Sequence, residues 1–369
     1  MNKITLLMLS ILLSTATLMS QNKHQGDTLV LGGAFRYTYM NNSWDKTHQE
    51  TGGRAIFDVL IFNAKGQING IEFAVENRYY AESFGGFMLR NGYVGLPLNK
   101  HLKLKLGMPR TPFGILPFTS NNFMFNMQYY IGFEDDADIG GLLEYSKDNM
   151  EAQLSFAKNS EDIFSQGNRR YAYDISGNNQ EVNQFTGRLA RHWGKSMPTE
   201  LGVSAQYGGI YNSITKETGN KWAAAVHAVI QKGRWDLKTE LMTYEFSPID
   251  SIEVDYIEMG AFAADYQVAK KGVSYSIALG YKIDVGHTLL NDIKFYNDFS
   301  ALAKSEASFD DSYMNVTGFM VHTGPIYMLV DYVLAINQPW IGDNYSQALS
   351  VGGDSGWNRR FNINMGVYF

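Results

Sequence analysis

The sequence predicts an all-β fold, a transmembrane antiparallel β-barrel of about 16 strands, and three observations carry this prediction. The first is the end of the chain, where apolar residues occupy every second position from Phe361 to Phe369. Because side chains alternate across a strand, this segment has one apolar and one polar face. The second is an apolar N-terminal run typical of exported proteins. The third is that no later stretch approaches the roughly 18 unbroken apolar residues of a spanning helix. A mature chain that enters a bilayer must therefore do so as a closed barrel.

The N-terminus has the organisation of a secretory signal peptide. A short basic region that contains Lys3 precedes a mostly apolar run from Ile4 to Met19, and Ser20-Gln21 is a plausible cleavage site. The alternative, an uncleaved anchor helix, is disfavoured because the run is short and polar residues follow it directly. We therefore predict a signal peptide over residues 1–20 and one outer-membrane barrel domain over residues 21–369.

Composition agrees with export to the bacterial outer membrane and excludes several other classes. The chain has no cysteine, so it can form neither disulfides nor thiolate metal sites. Its 14% aromatic content and 36 glycines suit interfacial aromatic girdles and closely packed strands. A formal net charge of −6 disfavours nucleic acid as a partner. The expected partners are outer-membrane lipid and small hydrophilic solutes or anions.

Alternating segments with short turns between them recur along the mature chain, and we identify seventeen candidate strands. They span residues 28–40, 54–63, 69–80, 87–96, 101–108, 140–145, 151–157, 185–193, 201–211, 221–230, 234–246, 256–268, 273–283, 292–302, 314–322, 326–336 and 360–369. A single-chain bacterial barrel normally has an even number of strands, so one candidate is expected to be wrong. The ambiguous stretch is 256–302, and a further strand near 169–175 would give eighteen. We predict sixteen, with the long connections 109–139, 158–183 and 338–358 outside.

Assigning the apolar side of each strand to lipid turns a set of basic residues toward the lumen. A cation that faced lipid near the midplane would cost about 2–4 kcal/mol. The predicted pore-lining bases are Arg36, Arg54, Arg78, Arg90, Lys103, Lys105 and Arg360. The last strand of a closed barrel pairs with the first, so these bases share one wall, which would attract anions. Asp58, Glu72 and Glu76 lie on the same wall, and their pairing with the bases as a structural brace remains an equal alternative. The same assignment sends Val59, Ile61 and Tyr93 toward lipid.

The connection 109–139 is long and rich in aromatic residues, and large apolar patches are rarely left exposed to water. We predict that it is the third loop, that it folds into the lumen and that it narrows the pore. Its candidate constriction residues are Phe123, Phe125, Tyr129, Glu134, Asp135, Asp136 and Asp138. The alternative is a lid across the outer surface. The four acids could also hold Ca²⁺, but their spacing matches no calcium-binding loop, so we predict neither a metal nor another cofactor.

Catalysis has little support in the sequence. None of the seven histidines stands in a metal-ligand spacing such as HExxH. His287 lies near Asp284 but is more simply explained as a solvated loop residue. We therefore do not predict an enzyme. The alternative to a channel is an outer-membrane barrel with a closed lumen and a rim function, either an enzyme or an adhesin.

Several short motifs resemble the phosphate-selective porin O and P family. The segment Leu-Lys-Leu-Gly-Met-Pro-Arg-Thr-Pro-Phe-Gly at 104–114 resembles a strand of that family that runs through a Pro-Phe-Gly turn into a long inward loop. Residues 295–300, Asp331-Tyr332 and 337–340 resemble its later strands. The resemblance implies a sixteen-stranded porin, usually trimeric, that passes small anions or other small solutes. The arginine ladder and lysine cluster of that family are not aligned residue by residue with this chain.

Overall fold

A computed structural model describes residues 26–161, 168–287 and 290–369 of the chain. The predicted signal peptide at 1–20 lies outside the described residues. Nineteen β-strands are present in the described part. They are β1 (Thr28–Asn42), β2 (Arg54–Ile68), β3 (Ile71–Tyr79), β4 (Phe87–Asn99), β5 (Leu102–Met108), β6 (Ile139–Lys147), β7 (Met150–Asn159), β8 (Asp174–Ile175), β9 (Asn179–Trp193), β10 (Thr199–Asn212), β11 (Thr218–Lys232), β12 (Trp235–Ser247), β13 (Tyr256–Ala261), β14 (Ala264–Ala269), β15 (Lys271–His287), β16 (Leu290–Lys304), β17 (Ser312–Thr323), β18 (Ile326–Ile336) and β19 (Asn358–Tyr368).

Sixteen of these strands form one closed antiparallel barrel, which confirms the predicted fold and strand number. Closure is made by β1 and β19, which pair in register from Ala34 with Tyr368 to Asn42 with Arg360. A closed barrel leaves no unpaired edge, so the backbone polar groups of every strand are satisfied within the sheet. The first residues of β1 and the last residues of β19 lie at the end of the barrel where the connections between strands are short. We call this the turn end, and the opposite end the loop end.

The candidate strand at 256–268 was wrong as a barrel strand, and its removal accounts for the difference between seventeen and sixteen. The segment is a hairpin of β13 and β14, closed by the two-residue turn Phe262-Ala263. Both turn residues have positive φ, 53° and 61°, a geometry usually supplied by Gly or Asn. The hairpin pairs with the two-residue strand β8 to form a separate small sheet. The possible strand near 169–175 therefore contributes only β8, and it does not enter the barrel.

Two β-bulges correct the sequence-based assignment of faces. The register of β1 with β2 shifts so that Asp58 is an extra residue, and beyond it Val59 and Ile61 are buried, with exposed fractions of 0% and 5%. A second bulge leaves Arg90 as the extra residue of β4. Beyond it Tyr93 turns inward, and the Lys105 ammonium lies 4.8 Å from its ring centroid. An extra residue inverts the alternation of side chains, so all three predicted lipid-facing positions lie on the inner side.

The outer surface of the barrel is apolar, as a lipid-facing surface requires. Leu106, Leu154, Val203 and Leu241 are among its exposed large hydrophobic residues. One set of exposed aromatic residues lies near the turn end, as in an interfacial girdle. They include Tyr145, Trp193, Trp235, Tyr327 and Tyr368. Among the described residues, no helix combines the length and the hydrophobicity needed to cross a membrane.

Several loop segments pack against one another at the loop end of the barrel. A short helix α1 (Lys46–Thr51), capped by Asp45, lies in the first loop, and α2 (Met127–Tyr130) lies in the loop between β5 and β6. Side chains from that loop, from the β13–β14 hairpin and from the loop end of β12 pack into one apolar core. Its most buried large members include Met127, Ile131, Tyr173, Ile175, Tyr244, Phe246, Met259 and Tyr266.

Candidate functional site: the lumen and its inward loop

The loop between β5 and β6, residues 109–138, begins its path against the wall formed by β9, β10 and β12. The Gly114 N–H donates to Ser204 Oγ at 3.1 Å, and the Ile115 N–H donates to Glu240 Oε2 at 2.9 Å. The Arg188 guanidinium donates to the Gly114 carbonyl oxygen at 2.8 Å. Three strands on one side of the barrel, β9, β10 and β12, therefore hold the first part of the loop by polar side chains.

The middle of the same loop is attached to strands farther around the barrel. Asp298 of β16 accepts hydrogen bonds from the Asn121 N–H at 2.6 Å and from the Asn122 side-chain amide at 2.8 Å. Asp331 of β18 accepts from the Phe123 N–H at 3.2 Å. The loop therefore crosses the interior. This confirms that it folds into the lumen, and the alternative of a lid over the outer surface was wrong.

The three candidate aromatic residues of the loop lie inside the barrel. Phe125 and Tyr129 stack with ring centroids 4.2 Å apart and nearly parallel planes, and Tyr129 is buried. Phe123 lies under the Arg36 guanidinium, 5.6 Å from its ring centroid. A guanidinium over an aromatic face is attracted by the ring quadrupole. The Arg36 contact therefore attaches the inward loop to the predicted basic wall.

Most of the predicted pore-lining bases are engaged in ion pairs with acids of the wall or of the loop. These pairs include Arg36–Asp58 at 2.8 Å, Arg78–Glu76 at 2.7 Å, Lys103–Glu72 at 2.8 Å and Lys105–Glu144 at 2.9 Å. An ion pair of this kind braces the wall and cancels much of the field of each base at a distance. The arrangement is the structural brace considered as the alternative above, and the role of these bases toward solutes stays a prediction.

Asp135 is the most connected acid of the loop. Its carboxylate contacts Arg90 of β4 and lies 2.8 Å from the Arg110 guanidinium. It also accepts a hydrogen bond from the Tyr171 hydroxyl at 2.8 Å. The Arg78 guanidinium lies over the Tyr171 ring, 4.4 Å from its centroid. These contacts join the inward loop, the wall and the loop that follows β7 into one charged network.

The two remaining predicted bases lie apart from this network. Arg54 is exposed at the loop end of β2, where it pairs in register with Met40. Arg360 is buried on β19, and its guanidinium donates to Asn362 Oδ1 at 2.8 Å. Neither base forms an ion pair with another described residue. They therefore retain more of their positive field than the paired bases do.

The four loop acids that sequence analysis grouped together go to three different places. Asp135 enters the arginine network, whereas Glu134 accepts a hydrogen bond from the Asn126 side chain. Burial, with the Glu240 charge adding to it, raises the pKa of Glu134 to about 8. Asp136 and Asp138 turn toward a third location, against the loop after β7.

At that third location, Asp136 and Asp138 meet Glu161 and Asp174, and we call these four residues the carboxylate cluster. All four are buried, and one oxygen of each lies within 4.8 Å of the others. Burial first, and the neighbouring carboxylates second, raise the pKa values of Asp136 and Asp138 well above their ordinary range. Sequence analysis missed Glu161 and Asp174 because they lie in a long connection without strand alternation. Their charge was the only local signal, and it did not indicate which acids they would meet.

Solved structures share the fold of this chain. The anion-selective porin from Comamonas acidovorans is 12% identical, with a TM-score of 0.60 over 93% of this chain and 100% of that one. Salmonella typhi OmpF in complex with daunomycin is 14% identical, with a TM-score of 0.61 over 93% and 98%. The in-vitro folded trimer form of OmpT from Vibrio cholerae is 10% identical, with a TM-score of 0.57 over 94% and 100%. No protein-family model and no curated protein sequence matches the chain.

At these identities the likeness establishes the fold. The resemblance to the phosphate-selective family is not supported by any family model, so that finer assignment stays a prediction. The closed barrel is shared with bacterial outer-membrane proteins that are described as porins and channels. Together with the apolar outer surface of the barrel, this fold places the protein in the outer membrane of a bacterium, as a sixteen-stranded β-barrel of the porin type.

Proposed function

We propose that the protein is a porin, a passive water-filled channel that carries small hydrophilic solutes across the outer membrane. The observation that carries the proposal is the inward loop, which crosses a closed sixteen-stranded barrel and is anchored to its walls through polar side chains. An ion-paired, hydrogen-bonded inner wall offers polar partners to water and solutes. Solved structures of this fold that are described as porins and channels support the same function.

The same loop is expected to restrict the channel to small solutes. It brings an aromatic core into the loop end of the barrel, so the open cross-section there is smaller than that of the strands alone. Polar residues of the wall near the turn end, such as Lys103 and Glu72, are part-exposed and can contact water. Solutes that pass the loop would therefore meet the ion-paired wall on the turn-end side of the lumen.

A weak anion preference is the finer part of this proposal. Its source would be cations that have no acidic partner within 4.0 Å among the described residues, such as Lys238 and Arg360 on the inner side of the barrel and Arg54 at the loop end. Lys238 instead donates to the Phe118 carbonyl oxygen at 3.2 Å, so its charge is not cancelled by a carboxylate. The ion pairs of the other bases, together with buried acids such as Glu240, limit the preference.

Planar-bilayer recording of the purified full-length mature protein tests the channel. We expect stepwise conductance that rises roughly linearly with salt concentration, as for a water-filled pore. Passage of small neutral sugars into liposomes should fall steeply with sugar size. A barrel that inserts, as judged by its resistance to protease, yet remains electrically silent would reject the channel. It would favour the alternative of a closed lumen with a rim function as an enzyme or adhesin.

The anion preference is tested separately by reversal potentials in a salt gradient. Replacing Arg360 by Gln should shift the reversal potential toward cations, because the substitution removes an unpaired buried charge. Arg360→Lys is the matched control, since it keeps the charge, and it should retain the wild-type sign. A cation-biased wild type, or equal values for the two variants, would contradict the preference while leaving the channel itself intact.

We further propose that the protein assembles as a homotrimer in the membrane. The support is the shared fold with the trimer form of OmpT from Vibrio cholerae. The mass of the complex would be measured in a mild detergent by light scattering coupled to size-exclusion chromatography. After the detergent mass is subtracted, it should equal three mature chains, each being the 41.5 kDa chain without its signal peptide. A monomeric mass across a range of mild detergents would contradict this assembly.

A further inference from the structure

The carboxylate cluster has the dimensions of a calcium site. Its four residues have exposed fractions of 5% for Asp136, 4% for Asp138, 4% for Glu161 and 1% for Asp174. Calcium binds oxygen ligands at about 2.3–2.6 Å, so two ligands on opposite sides of one ion lie about 4.8 Å apart. One oxygen of each carboxylate lies within 4.8 Å of the other three. All four can therefore touch a single ion without a large movement.

A second observation is that buried oxygens of the cluster, and of an amide beside it, lack a hydrogen-bond partner among the described residues. Asp136 Oδ1, Asp138 Oδ1 and Glu161 Oε2 are buried and have no hydrogen-bond partner among the described residues. The Gln184 side chain of β9, which is 3% exposed, donates from Nε2 to Asp138 Oδ2 at 3.0 Å. Its carbonyl oxygen Oε1 is also buried without a partner among the described residues. Unsatisfied buried oxygens are costly, and several that converge on one place call for a common partner.

The charges around the cluster do not balance. Arg170 pairs with Asp174 at 3.0 Å, and Lys221 pairs with Glu181 of β9 at 2.5 Å. The four carboxylates and Glu181 carry five formal negative charges against these two positive ones, which leaves −3. A buried region of this net charge must take up either protons or a cation, because uncompensated charge is strongly destabilising at low dielectric.

We propose that the carboxylate cluster binds one Ca²⁺ ion, with the Gln184 carbonyl oxygen as a further ligand. The donor set contains only oxygen and lacks the thiolate or imidazole groups that transition metals prefer. The ligands are side chains of the protein, which suits the flexible, many-oxygen coordination of calcium better than the small, partly hydrated magnesium ion.

Such an ion would cross-link segments that are distant in the chain. Asp136 and Asp138 belong to the inward loop, Glu161 and Asp174 belong to the loop after β7, and Gln184 belongs to the wall. The ion would therefore tie two loops to each other and to the barrel. Its removal should loosen the loop end while the membrane-spanning strands stay paired.

Calcium titration of the full-length mature protein in detergent, first stripped with EGTA, tests the proposal. Isothermal titration calorimetry should show one Ca²⁺ per chain and at least tenfold weaker binding of Mg²⁺. Calcium should also raise the thermal unfolding midpoint. Wild-type protein that binds no Ca²⁺, or that binds Mg²⁺ equally well, would overturn the proposal. The experiment does not depend on conductance, so its failure leaves the channel proposal standing.

Three variants locate the site. The double substitution D136N/D138N should weaken calcium binding at least a hundredfold, and E161Q on the other loop should weaken it at least tenfold. Because Asn and Gln are close in shape to the protonated acids, these variants are expected to fold. E134Q is the matched control, a buried acid of the same loop outside the cluster, and its calcium affinity should equal that of the wild type. Unchanged binding in D136N/D138N, or an equal loss in E134Q, would overturn the assigned ligands.

Discussion

Asp298 accepts two hydrogen bonds from Asn121, one from the backbone N–H at 2.6 Å and one from the side-chain amide at 2.9 Å. The two residues are 177 positions apart in the chain. The pair attaches the middle of the inward loop to β16, across the lumen from the strand on which the loop begins. A third hydrogen bond, from Asn122 at 2.8 Å, ends on the same carboxylate. Asp298 alone therefore accepts three hydrogen bonds from the loop, on the far side of the lumen.

Replacing Asp298 by Ala should release this part of the loop. The variant loses three hydrogen bonds to a carboxylate, and each such bond typically stabilises a protein by about 1.5–3 kcal/mol. We expect a larger single-channel conductance with more current noise, together with a lower thermal midpoint. Asp292→Ala is the matched control, because Asp292 lies on the same strand near the turn end, away from the loop. Identical conductance traces for the two variants would show that Asp298 does not hold the constriction.

Replacing Asp135 by Asn should make the lumen more attractive to anions. The substitution leaves Arg90 and Arg110 without the carboxylate that now faces both. Breaking a buried pair by removing one partner costs about 3–5 kcal/mol, so stability should fall as well. Reversal potentials in a salt gradient and thermal midpoints measure the two effects.

Glu72→Gln is the comparison for Asp135, because Glu72 pairs with Lys103 in a part-exposed position. It should also shift the reversal potential toward anions. Its cost in stability should be much smaller, about 0–1 kcal/mol, since an exposed ion pair contributes little. A larger loss of stability for Glu72→Gln than for Asp135→Asn would contradict the burial argument.

Glu134 should make stability depend on pH. The folded protein holds its pKa at about 8, whereas the ordinary value is 4.5. Between these two values the folded state binds more protons than the unfolded state, so this group lowers stability as pH rises from about 4.5 to 8. Glu134→Gln removes this contribution, and its thermal midpoint should fall less between pH 5 and pH 8 than that of the wild type. Glu253→Gln, at an exposed acid, is the control, and coincident slopes for Glu134→Gln and the wild type would refute the expected linkage.

Ala263→Gly should stabilise the β13–β14 hairpin. Ala263 has a φ of 61°, in the left-handed region that costs a non-glycine residue about 1–2 kcal/mol. Glycine relieves this cost but loses more entropy on folding, so the expected gain is about 0.5–1 kcal/mol. The next residue, Ala264, is the control, because it lies in β14 and pairs with Ala261. Ala264→Gly should lower the thermal midpoint, and a similar decrease in Ala263→Gly would contradict the prediction.

Sequence periodicity was sufficient for the barrel because the lipid bilayer imposes one rule on every strand. Each spanning segment must turn apolar side chains outward. The alternation of apolar residues such as Phe361 and Met365 results from this requirement. The exposed outer positions of β19 follow it. The length and aromatic content of the connection between β5 and β6 similarly indicated that it needs cover inside the barrel.

Periodicity failed where the controlling contacts lie far apart in the chain. At Asp58 and Arg90, one extra residue inverts the inside and outside of a strand, and no local signal marks the bulge. At Phe262-Ala263, a tight turn forms without the Gly or Asn that normally announces it. The segment around that turn is apolar because it is buried against other loops at the loop end, and burial by protein resembles burial by lipid when only the sequence is read.

The sequence by itself therefore determined the class of the protein, its sixteen strands and the inward loop, since these follow from which side chains avoid water. Only the tertiary structure decided the destination of each charge. Asp135 meets arginines, Glu134 is buried beside an amide, and Asp136 and Asp138 meet two acids from another loop. Neighbouring residues were separated because the electrostatic partner of a buried charge is chosen by three-dimensional proximity, and proximity in a barrel depends on closure and register rather than on position in the chain.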